Sequence, residues 1–475
     1  MAGTIGGSYD LQPSSVKATL QSNYITNFDF LNQYLPDTYE QEFARYGDRS
    51  VSSFLRRMGA EIPSNSDLIK WTEEGRLHTK YAACSIAYGG GNDTAVLTVN
   101  DVDAAGNFLN SVFRIGQTVF LSSNVNSAQS DKAIITAISA SSTNVTPATF
   151  TVAYYAAAGG TITDSGNNDI TAFVYGSEFK KGSNGMSGSL DAAVDIFDVS
   201  PIIIKDKFEI AGSDMAQIGW VEVEGDGGMS YLWYLKSKSE TRMRFEDYLE
   251  MMMVEHVEAA SGSGAIAASG DVGNKGTEGM FAAVEARGNT WSGGVPSTLA
   301  DFDTILNRLD KQGAIAENTL FTNRTFALAI DDMLAAQNSY GVGGTSYGLF
   351  DNDEKMALNL GFTGFRRGSY DFYKTDWKYL NDATLRGGIT GGVVNGVLVP
   401  AGTMNVYDQV VGKRMQRPFL HVRYRQSETE NRKYKTWITG SAGGASTSDL
   451  DAMQVHFLSE RALCTLGANN FFLFQ

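Results

Sequence analysis

The stretch Ser239–Ala260, SETRMRFEDYLEMMMVEHVEAA, decides the fold of this chain. Its apolar side chains recur at close to helical spacing and predict one long amphipathic helix: Met243, Phe245, Leu249, Met252, Met253 and Val257. Ser239 is the expected N-cap, and Gly262 and Gly264 mark the expected end. At 1.5 Å per residue this helix is about 30 Å long, which exceeds the ordinary globular helix.

Ahead of this helix lies strand-like sequence. From about residue 89 to residue 182 the composition shifts towards Ala, Ser, Thr, Gly and Asn. Alternating runs separated by turn clusters predict about five strands of a small barrel or sandwich, at residues 95–99, 113–121, 133–138, 150–155 and 170–175. Glycines bound the segment at Gly89–Gly91 and at Gly182 and Gly185, as is common where a domain is inserted into its host. We therefore expect an inserted small all-β domain.

The first 75 residues are expected to form an extended arm with short helices. Asp48 is a plausible cap for a helix that carries Phe54 and ends at Gly59. The preceding segment, Tyr24–Tyr39, is rich in aromatic residues. Such an arm has little core of its own, so it packs either on the body of the chain or on a neighbouring copy.

Behind the long helix the pattern predicts two further helices and a strand-rich tail. The first has Ser297 or Thr298 as its cap and Gly313 as its end. The second starts near Thr322, directly after a short strand at Thr319–Phe321. The C-terminus, Phe471–Gln475, is so apolar that we expect it to be docked in a sheet.

Composition limits the classes of function. Among 475 residues, 38 are Lys or Arg and 53 are Asp or Glu, for a formal net charge of −15. This balance argues against a dedicated nucleic-acid binder and against adhesion to an anionic membrane. Cys84 and Cys464 lie in apolar surroundings and are interpreted as reduced core residues. The chain has neither a secretory signal nor an apolar run of membrane-span length, so we expect a soluble protein made in a cytosol.

No catalytic, cofactor-binding or metal site is predicted. The four histidines are not at helical or strand spacing, and each is interpreted as structural: His78, His256, His421 and His456. The sequence has no nucleophile elbow and no phosphate-binding glycine loop. The run Asp101–Gly106 matches only part of a calcium loop and is better interpreted as a two-carboxylate turn in a hairpin. Gly341–Gly344 and Asp351–Glu354 are interpreted as loops.

Two charged stretches have two interpretations each. Six acidic side chains lie on the long helix: Glu240, Glu246, Asp247, Glu250, Glu255 and Glu258. They form either a solvated face or ion pairs with a neighbouring subunit, for which Arg56–Arg57 and Arg366–Arg367 are candidates. The most basic stretch, Lys413–Lys435, forms either a surface that meets phosphates or an exposed pair of strands with extended basic side chains.

The order of these elements resembles the major capsid protein of tailed bacteriophages, the Hong Kong 97 type of fold. Leu320–Phe326 is similar to the family's axial-domain segment, and Val455–Ala462 is similar to its closing peripheral-domain strand. Gly75–Tyr81, after the arm, resembles the crAss-like phages of gut bacteria. The resemblance covers nearly the whole chain except the insertion at 89–182.

The resemblance implies a structural role without catalytic residues or cofactors. It implies self-assembly into hexamers and pentamers of an icosahedral head, non-specific contact with packaged double-stranded DNA, and portal, auxiliary or decoration proteins as partners. Some members cross-link subunits through a Lys–Asn bond, and nothing in this sequence identifies such a pair. The alternative is a cell-surface or tail-associated protein whose β-domain recognises a glycan or a protein.

The resemblance also divides the chain. It implies an N-terminal arm at 1–75 and an extended loop region at 76–238 that contains the inserted domain. The helix and a peripheral domain follow at 239–296, an axial domain lies at 297–440, and 441–475 return to the peripheral domain.

Overall fold

The computed structural model describes most of the chain from residue 54 onwards, namely residues 54–55, 60–103, 106–109, 111–141, 143, 145–163, 168–190, 194–215, 223–225, 228–230, 233–268, 274–338, 363–408, 413–442, 444 and 446–475. The chain forms two compact units. The smaller unit is Lys70–Asp198, and the larger unit combines the chain up to Ile69 with Val199–Gln475. Strands outnumber helices in the described part, in agreement with the predicted α+β class.

The strands, in chain order, are β1 (Ala60–Ser64), β2 (Ile69–Glu74), β3 (Lys80–Tyr88), β4 (Thr94–Val99), β5 (Gln117–Ser123), β6 (Ser130–Ala140), β7 (Ala148–Tyr154), β8 (Ile170–Ser177), β9 (Val194–Val199), β10 (Ile202–Ala211), β11 (Val223–Gly225), β12 (Gly228–Ser230), β13 (Asn289–Trp291), β14 (Glu317–Thr322), β15 (Gly364–Arg367), β16 (Tyr370–Asp376), β17 (Gly396–Pro400), β18 (Thr403–Asp408), β19 (Lys413–Pro418), β20 (Leu420–Arg425), β21 (Lys435–Gly440), β22 (Ala452–Thr465) and β23 (Phe472–Phe474). The α-helices are Gly212–Met215, Trp233–Glu255, Gly264–Ala268, Met280–Arg287, Leu299–Gln312, Arg324–Asn338 and Lys378–Asn381.

Six strands of the smaller unit close into a barrel in the order β3-β4-β7-β6-β5-β8. Alternate side chains, such as Val119 and Leu121 of β5, point inward and fill the interior. The barrel begins before the segment expected at 89–182, because Lys80–Tyr88 already alternates between exposed and buried positions. Gly89–Gly91 is therefore the turn between β3 and β4, closed by the Gly89 amide donating to the Thr94 carbonyl at 2.9 Å, and not a boundary.

A two-stranded ribbon leads into the barrel and out of it again. It consists of β2 and β9, which pair only with each other among the described strands. The Trp71 ring lies 6.1 Å from the Phe197 ring between centroids, while Ile196 is 62% exposed. Isolated two-stranded sheets are marginally stable in water, so this ribbon needs additional packing contacts to be stable.

A five-stranded sheet forms one part of the larger unit. Its order is β1-β20-β22-β10, and β21 also pairs with β22. The strand β22 pairs with three other strands because it is 14 residues long. Its first part lies between β10 and β21, and its last residues pair with β20. The pairing of β1 with β20 is parallel. Residues 60–64, expected to belong to an arm, are thus a strand of this sheet.

The long helix, Trp233–Glu255, packs against this sheet. The Phe245 ring lies 5.8 Å from the Phe457 ring and 5.5 Å from the Tyr434 ring between centroids. The predicted bounds of the helix were wrong at both ends. No Gly or Pro stands between Trp233 and Ser239, so the helix extends through Ser239, which is not its N-cap. It ends before Val257, which is 56% exposed.

A six-stranded mixed sheet in the order β13-β23-β17-β14-β16-β15 forms the other part. Its central strands are buried on both faces. Phe472 and Phe474 of β23 belong to a core shared with the helices Leu299–Gln312 and Arg324–Asn338, whereas Leu473 points into the core around the long helix. The expectation that the apolar C-terminus is docked in a sheet is confirmed. The larger unit also contains the hairpins β11–β12 and β18–β19.

Both helices predicted after the long helix are confirmed. Thr298, one of two candidates, caps the first: its hydroxyl accepts the Asp301 amide at 3.3 Å, and the Asp301 carboxylate accepts the Thr298 amide at 3.1 Å. Gly313 ends this helix in the left-handed conformation, at φ 65°. The second helix follows β14, and the Asn323 side chain accepts the Phe326 amide at 2.8 Å.

Candidate assembly surfaces

The last residue of the long helix, Glu255, is bound within its own chain. Arg386 donates from Nε and from its second terminal nitrogen to the two carboxylate oxygens, each at 2.7 Å. The Tyr379 hydroxyl donates to the same carboxylate at 2.7 Å. Burial is the main cause that raises the pKa of the Tyr379 hydroxyl well above its ordinary value, and its hydrogen bond to Glu255 is the second. These three residues, the Glu255 cluster, tie the end of the helix to residues 378–388.

A depression of about 580 Å³ lies beside the Glu255 cluster. It is also lined by Thr384, Ile389 and Gly392. The Arg386 side chain contacts the Gly392 carbonyl and lies over the Phe281 ring, 5.3 Å from its centroid. The charged groups of the depression are therefore bound to each other and to the chain around them.

A second acid of the helix, Glu250, anchors the chain ahead of β1. Its carboxylate is buried and accepts the Phe54 amide at 3.1 Å. The Phe54 ring stacks on Trp377 with 4.4 Å between centroids and meets Phe321 edge-on at 4.6 Å. Of the two expected packing partners of the arm, Phe54 therefore uses the body of the chain. The remaining parts of the predicted helix at 48–59, and the aromatic segment 24–39, lie outside the described residues.

Two arginines that were candidates for ion pairs with the helix acids of a neighbouring subunit, Arg366 and Arg367, are instead paired within their own chain. Arg367 donates to Asp303 of its own chain at 2.6 and 2.8 Å, and Arg366 lies 3.5 Å from Asp371. Arg56–Arg57 lie outside the described residues. Because Glu250 and Glu255 are also bound internally, the interpretation as a wholly solvated face is wrong for these two side chains.

Four of the eight basic side chains in the stretch Lys413–Lys435 are paired with acids of the larger unit. The partners are Asp67 for Arg425 at 2.6 Å, Glu460 for Arg432 at 2.6 Å, Glu61 for Lys433 and Glu430 for Lys435 at 2.8 Å. Lys433 and Lys435 extend over the rings of Tyr424 and Trp437. The stretch is nevertheless not an exposed pair of strands, since β20 lies between β1 and β22. These contacts favour a structural role over binding of phosphate.

Three histidines make structural contacts. His421 is buried, its Nδ1 lies 3.3 Å from the Pro418 carbonyl, and burial together with Arg423 and Arg417 lowers its pKa to about 4. The His456 ring stacks on Trp437 and its Nε2 lies 2.7 Å from the Thr439 hydroxyl. Burial also lowers the pKa of His256, whose Nδ1 accepts the Val257 amide.

The cysteines and the calcium-like turn agree with their structural interpretations. Cys84 and Cys464 are free and buried, as predicted, and burial raises the pKa of each thiol to about 12. The Asp101 carboxylate accepts the amides of Ala82 and Ala83 at 2.8 and 3.1 Å. Across the described residues there is no group of three or more His, Cys, Asp or Glu side chains suited to a metal ion. Gly341–Gly344 and Asp351–Glu354 lie outside them.

No helix in the described ranges is long and apolar enough to cross a membrane.

Several strands of the smaller unit carry exposed apolar side chains. One set lies on the ribbon, where Val194 and Ile196 share a face of β9. A second set lies on the outside of the barrel, where the Phe120 and Phe173 rings are paired at 5.4 Å. Surfaces of this kind mark contact sites more often than isolated exposed residues do.

The sequence did not reveal the Glu255 cluster or the Glu250–Phe54 bond. Their partners are 131 and 196 positions apart in the chain, and no local spacing signals contacts of such separation. The exposed barrel aromatics were within reach of sequence reasoning, because strand alternation assigns Phe173 and Tyr175 to the outer face of β8.

No protein-family model matches this chain, and no curated relative matches it. Solved structures similar to it include the capsid of a native GTA particle, at 9% identity over 95% of this chain and 99% of that chain, with a TM-score of 0.38. A structure from Microbacterium phage Oxtober96 has 9% identity over 92% of this chain and 95% of that chain, also with a TM-score of 0.38. The capsid structure of the cyanophage P-SCSP1u has 8% identity over 63% of this chain and 79% of that chain, with a TM-score of 0.32.

Proposed function

We propose that this chain is the structural major capsid protein of a tailed bacteriophage, with a fold of the Hong Kong 97 type. The observation that carries the proposal is the succession of elements along the chain. A ribbon that carries a barrel is followed by β10, by the long helix Trp233–Glu255 packed on a sheet, and by a six-stranded sheet with two flanking helices. This is the order on which the resemblance of the sequence rests.

The proposed domains follow from that order. The ribbon and barrel of the smaller unit, Lys70–Asp198, correspond to the extended loop and its insertion. The long helix and the five-stranded sheet correspond to the peripheral domain, and the six-stranded sheet with its helices to the axial domain. Compared with the expected bounds, β20 and β21 move from the axial to the peripheral domain, and β13 and β23 move the other way.

The proposed mechanism is mechanical and not enzymatic. Copies associate around closed axes into hexamers and pentamers, and these build an icosahedral shell around double-stranded DNA. The exposed ribbon supports this mechanism, because a two-stranded sheet with Ile196 and Val194 on its surface gains stability when another copy covers it. Contact with DNA is confined to phosphates and is independent of base sequence.

The proposal includes a location and partners. The protein assembles in the cytoplasm of the host bacterium and resides in the virion capsid, where portal and auxiliary or decoration proteins bind it. Gly75–Tyr81 supports an origin in a crAss-like phage.

The alternative function is a cell-surface or tail-associated binding protein. The exposed aromatic side chains on the barrel favour it, because aromatic rings are common in recognition surfaces. In that case the chain acts as a monomer or small oligomer, and the barrel binds a glycan or a protein.

Size-exclusion chromatography with light scattering, followed by negative-stain electron microscopy, separates the two functions. The purified full-length chain is examined over a range of salt and protein concentrations. We expect rings, closed shells or sheets of hexameric units. A chain that stays monomeric under all these conditions contradicts the capsid proposal and favours the binding protein.

A further inference from the structure

The barrel carries two unusual surfaces, one beside each end of β6. The first is the outer part of the β6–β7 hairpin, here called the hairpin tip and presented by Ile138, Ala140 and Val145. Every described residue from 136 to 146 is exposed, and Val145 is 82% exposed. Up to Ile135 the strand alternates between buried and exposed residues, and beyond it both faces are exposed.

The hairpin tip carries no charge. Residues 133–163 contain no Asp, Glu, Lys or Arg, within a chain whose net charge is −15. Exposed strands are usually protected against association by charged side chains, especially Lys. A strand pair with β-branched residues and without such protection is suited to pairing with another surface.

Two described residues near the end of the hairpin tip, Thr143 and Thr146, are hydrogen-bonded to each other. The Thr143 amide donates to the Thr146 carbonyl at 2.9 Å, and the two hydroxyls lie 2.5 Å apart. Further back, the Ser139 hydroxyl lies 3.1 Å from that of Thr151. A surface held in one conformation loses less entropy when it binds.

The second surface is the aromatic patch, formed by Phe120, Tyr155, Phe173 and Tyr175 on the outside of the barrel. Phe120 and Phe173 are register partners with 5.4 Å between their ring centroids. The Tyr155 hydroxyl donates to Glu178 at 2.6 Å, which holds its ring in place. Tyr155 and Tyr175 are each about half exposed. The patch therefore presents aromatic rings, with the charged side chains of Glu178 and Lys132 at its edge.

The two surfaces of one copy cannot meet. Lys132 of β6 is the register partner of Phe120 in the patch, while Ala140 at the other end of β6 leads into the hairpin tip. At about 3.3 Å per residue, the eight positions between them span about 26 Å. Both surfaces therefore remain available on the same barrel.

We propose that the hairpin tip of one copy docks onto the aromatic patch of a second copy of this chain. Three properties favour a second copy as the occupant. The uncharged hairpin tip brings no further negative charge to the Glu178 carboxylate beside the patch of an acidic copy, and aliphatic β-branched side chains pack well against aromatic rings. The hairpin tip also offers no cation to a nucleic acid.

The contact is head-to-tail, since each copy contributes a different surface to each of its two neighbours. Contacts of this kind generate a ring when the rotation closes. The inference rests on the proposed function, because it assigns the barrels a place in the contacts between capsid subunits.

Disulfide cross-linking tests the contact. The double variant Val145→Cys with Tyr175→Cys is assembled, oxidised with copper phenanthroline and separated on a non-reducing gel. Because Cys84 and Cys464 are buried, they contribute little background. We expect a ladder of multimers, at least tenfold stronger than for the matched pair Val145→Cys with Val102→Cys, in which Val102 is 50% exposed outside the patch.

The outcomes separate this contact from the capsid function itself. Shells that form but give no ladder above the control overturn the contact and leave the proposed function intact, whereas a wild-type chain that forms no particles overturns the proposed function. Hydrogen–deuterium exchange on the wild-type protein provides a second measurement without any substitution. We expect slower exchange at 136–146 and 171–177 in shells than in dissociated subunits, and unchanged exchange at both segments overturns the contact.

Discussion

Glu255 and Arg386 form a two-pronged ion pair, with both nitrogen–oxygen distances at 2.7 Å, between residues that are 131 positions apart. Their side chains are 30% and 18% exposed. The pair holds the end of the long helix against residues 378–388, so the helix is attached to the six-stranded part of the larger unit as well as to the five-stranded sheet that it covers.

The first prediction concerns this ion pair. Glu255→Ala leaves the Arg386 guanidinium and the Tyr379 hydroxyl without their partner, so we expect it to lower the free energy of unfolding by about 1–3 kcal/mol. Urea denaturation followed by circular dichroism measures the change. The control is Lys207→Ala, which removes an exposed, solvent-screened ion pair with Glu209 and should lower the free energy of unfolding much less. Equal losses for the two variants contradict the structural role of Glu255.

The second prediction concerns Phe54. Its ring is 1% exposed between Trp377 and Phe321, and Phe54→Ala should lower the free energy of unfolding by about 3–5 kcal/mol because it leaves a cavity. Leu77→Ala, at a side chain that is 92% exposed, should change it by no more than about 0.5 kcal/mol. Thermal and urea unfolding measure both. A near-neutral Phe54→Ala contradicts the anchoring of this segment in the core.

The third prediction concerns the capping box at Thr298. Thr298→Ala removes the side-chain acceptor for the Asp301 amide and should cost about 1 kcal/mol of stability. Ser297→Ala is the matched control, because the sequence alone did not distinguish these two residues. We expect Ser297→Ala to be close to neutral, and the reverse order of effects identifies Ser297 as the cap.

The fourth prediction concerns the dependence of stability on pH through His421. Its pKa in the folded chain is about 4, below its ordinary value of about 6.5. Above pH 6.5 His421 is neutral in both the folded and the unfolded chain, so it contributes no pH dependence to the free energy of unfolding. As the pH falls from about 6.5 to 4, the unfolded chain takes up a proton that the folded chain excludes, so stability decreases by about 3 kcal/mol.

Chemical denaturation at pH 7 and at pH 4.5 measures this effect. His421→Gln should lose less stability between the two pH values than the wild type does, even if it is less stable at both. His78→Gln, at an exposed position, should keep the wild-type difference. An unchanged difference in His421→Gln assigns the acid sensitivity to other groups.

The fifth prediction concerns the N-terminal arm. Deletion of residues 1–35 should leave a folded body, because the described core begins at Phe54, but it should impair assembly. Circular dichroism checks the fold, and electron microscopy with light scattering checks the particles. Shell formation equal to that of the full chain contradicts the role of the arm.

Local signals were sufficient for several elements. The helix Leu299–Gln312 was predicted with two candidate caps, Ser297 and Thr298, and with its terminal glycine, because both ends depend on backbone groups within four residues. Five of the six barrel strands were predicted from their alternation, but β3 was missed because Gly89–Gly91 was mistaken for a boundary. A glycine cluster has the same appearance in a tight hairpin turn and in a linker, and only the pairing of β3 with β4 distinguishes them.

The ends of the long helix and the partners of its acids were not predictable in the same way. Ser239 has the properties of a cap, yet no helix breaker precedes it, and the helix extends to Trp233. Glu250 and Glu255 have the composition of a solvated face, yet both are bound by residues far away in the chain.

The sequence by itself determined the α+β class, the order of the elements, the absence of charged side chains from residues 133–163, and the burial of the cysteines and of the C-terminus. Each of these follows from residue type and short-range spacing. Only the tertiary structure decided which charges neutralise each other, where Phe54 is anchored, and that the hairpin tip and the aromatic patch lie beside opposite ends of β6. The physical reason is that these relations depend on strand register and on contacts between distant segments, whose free energy is gained only when the whole unit folds.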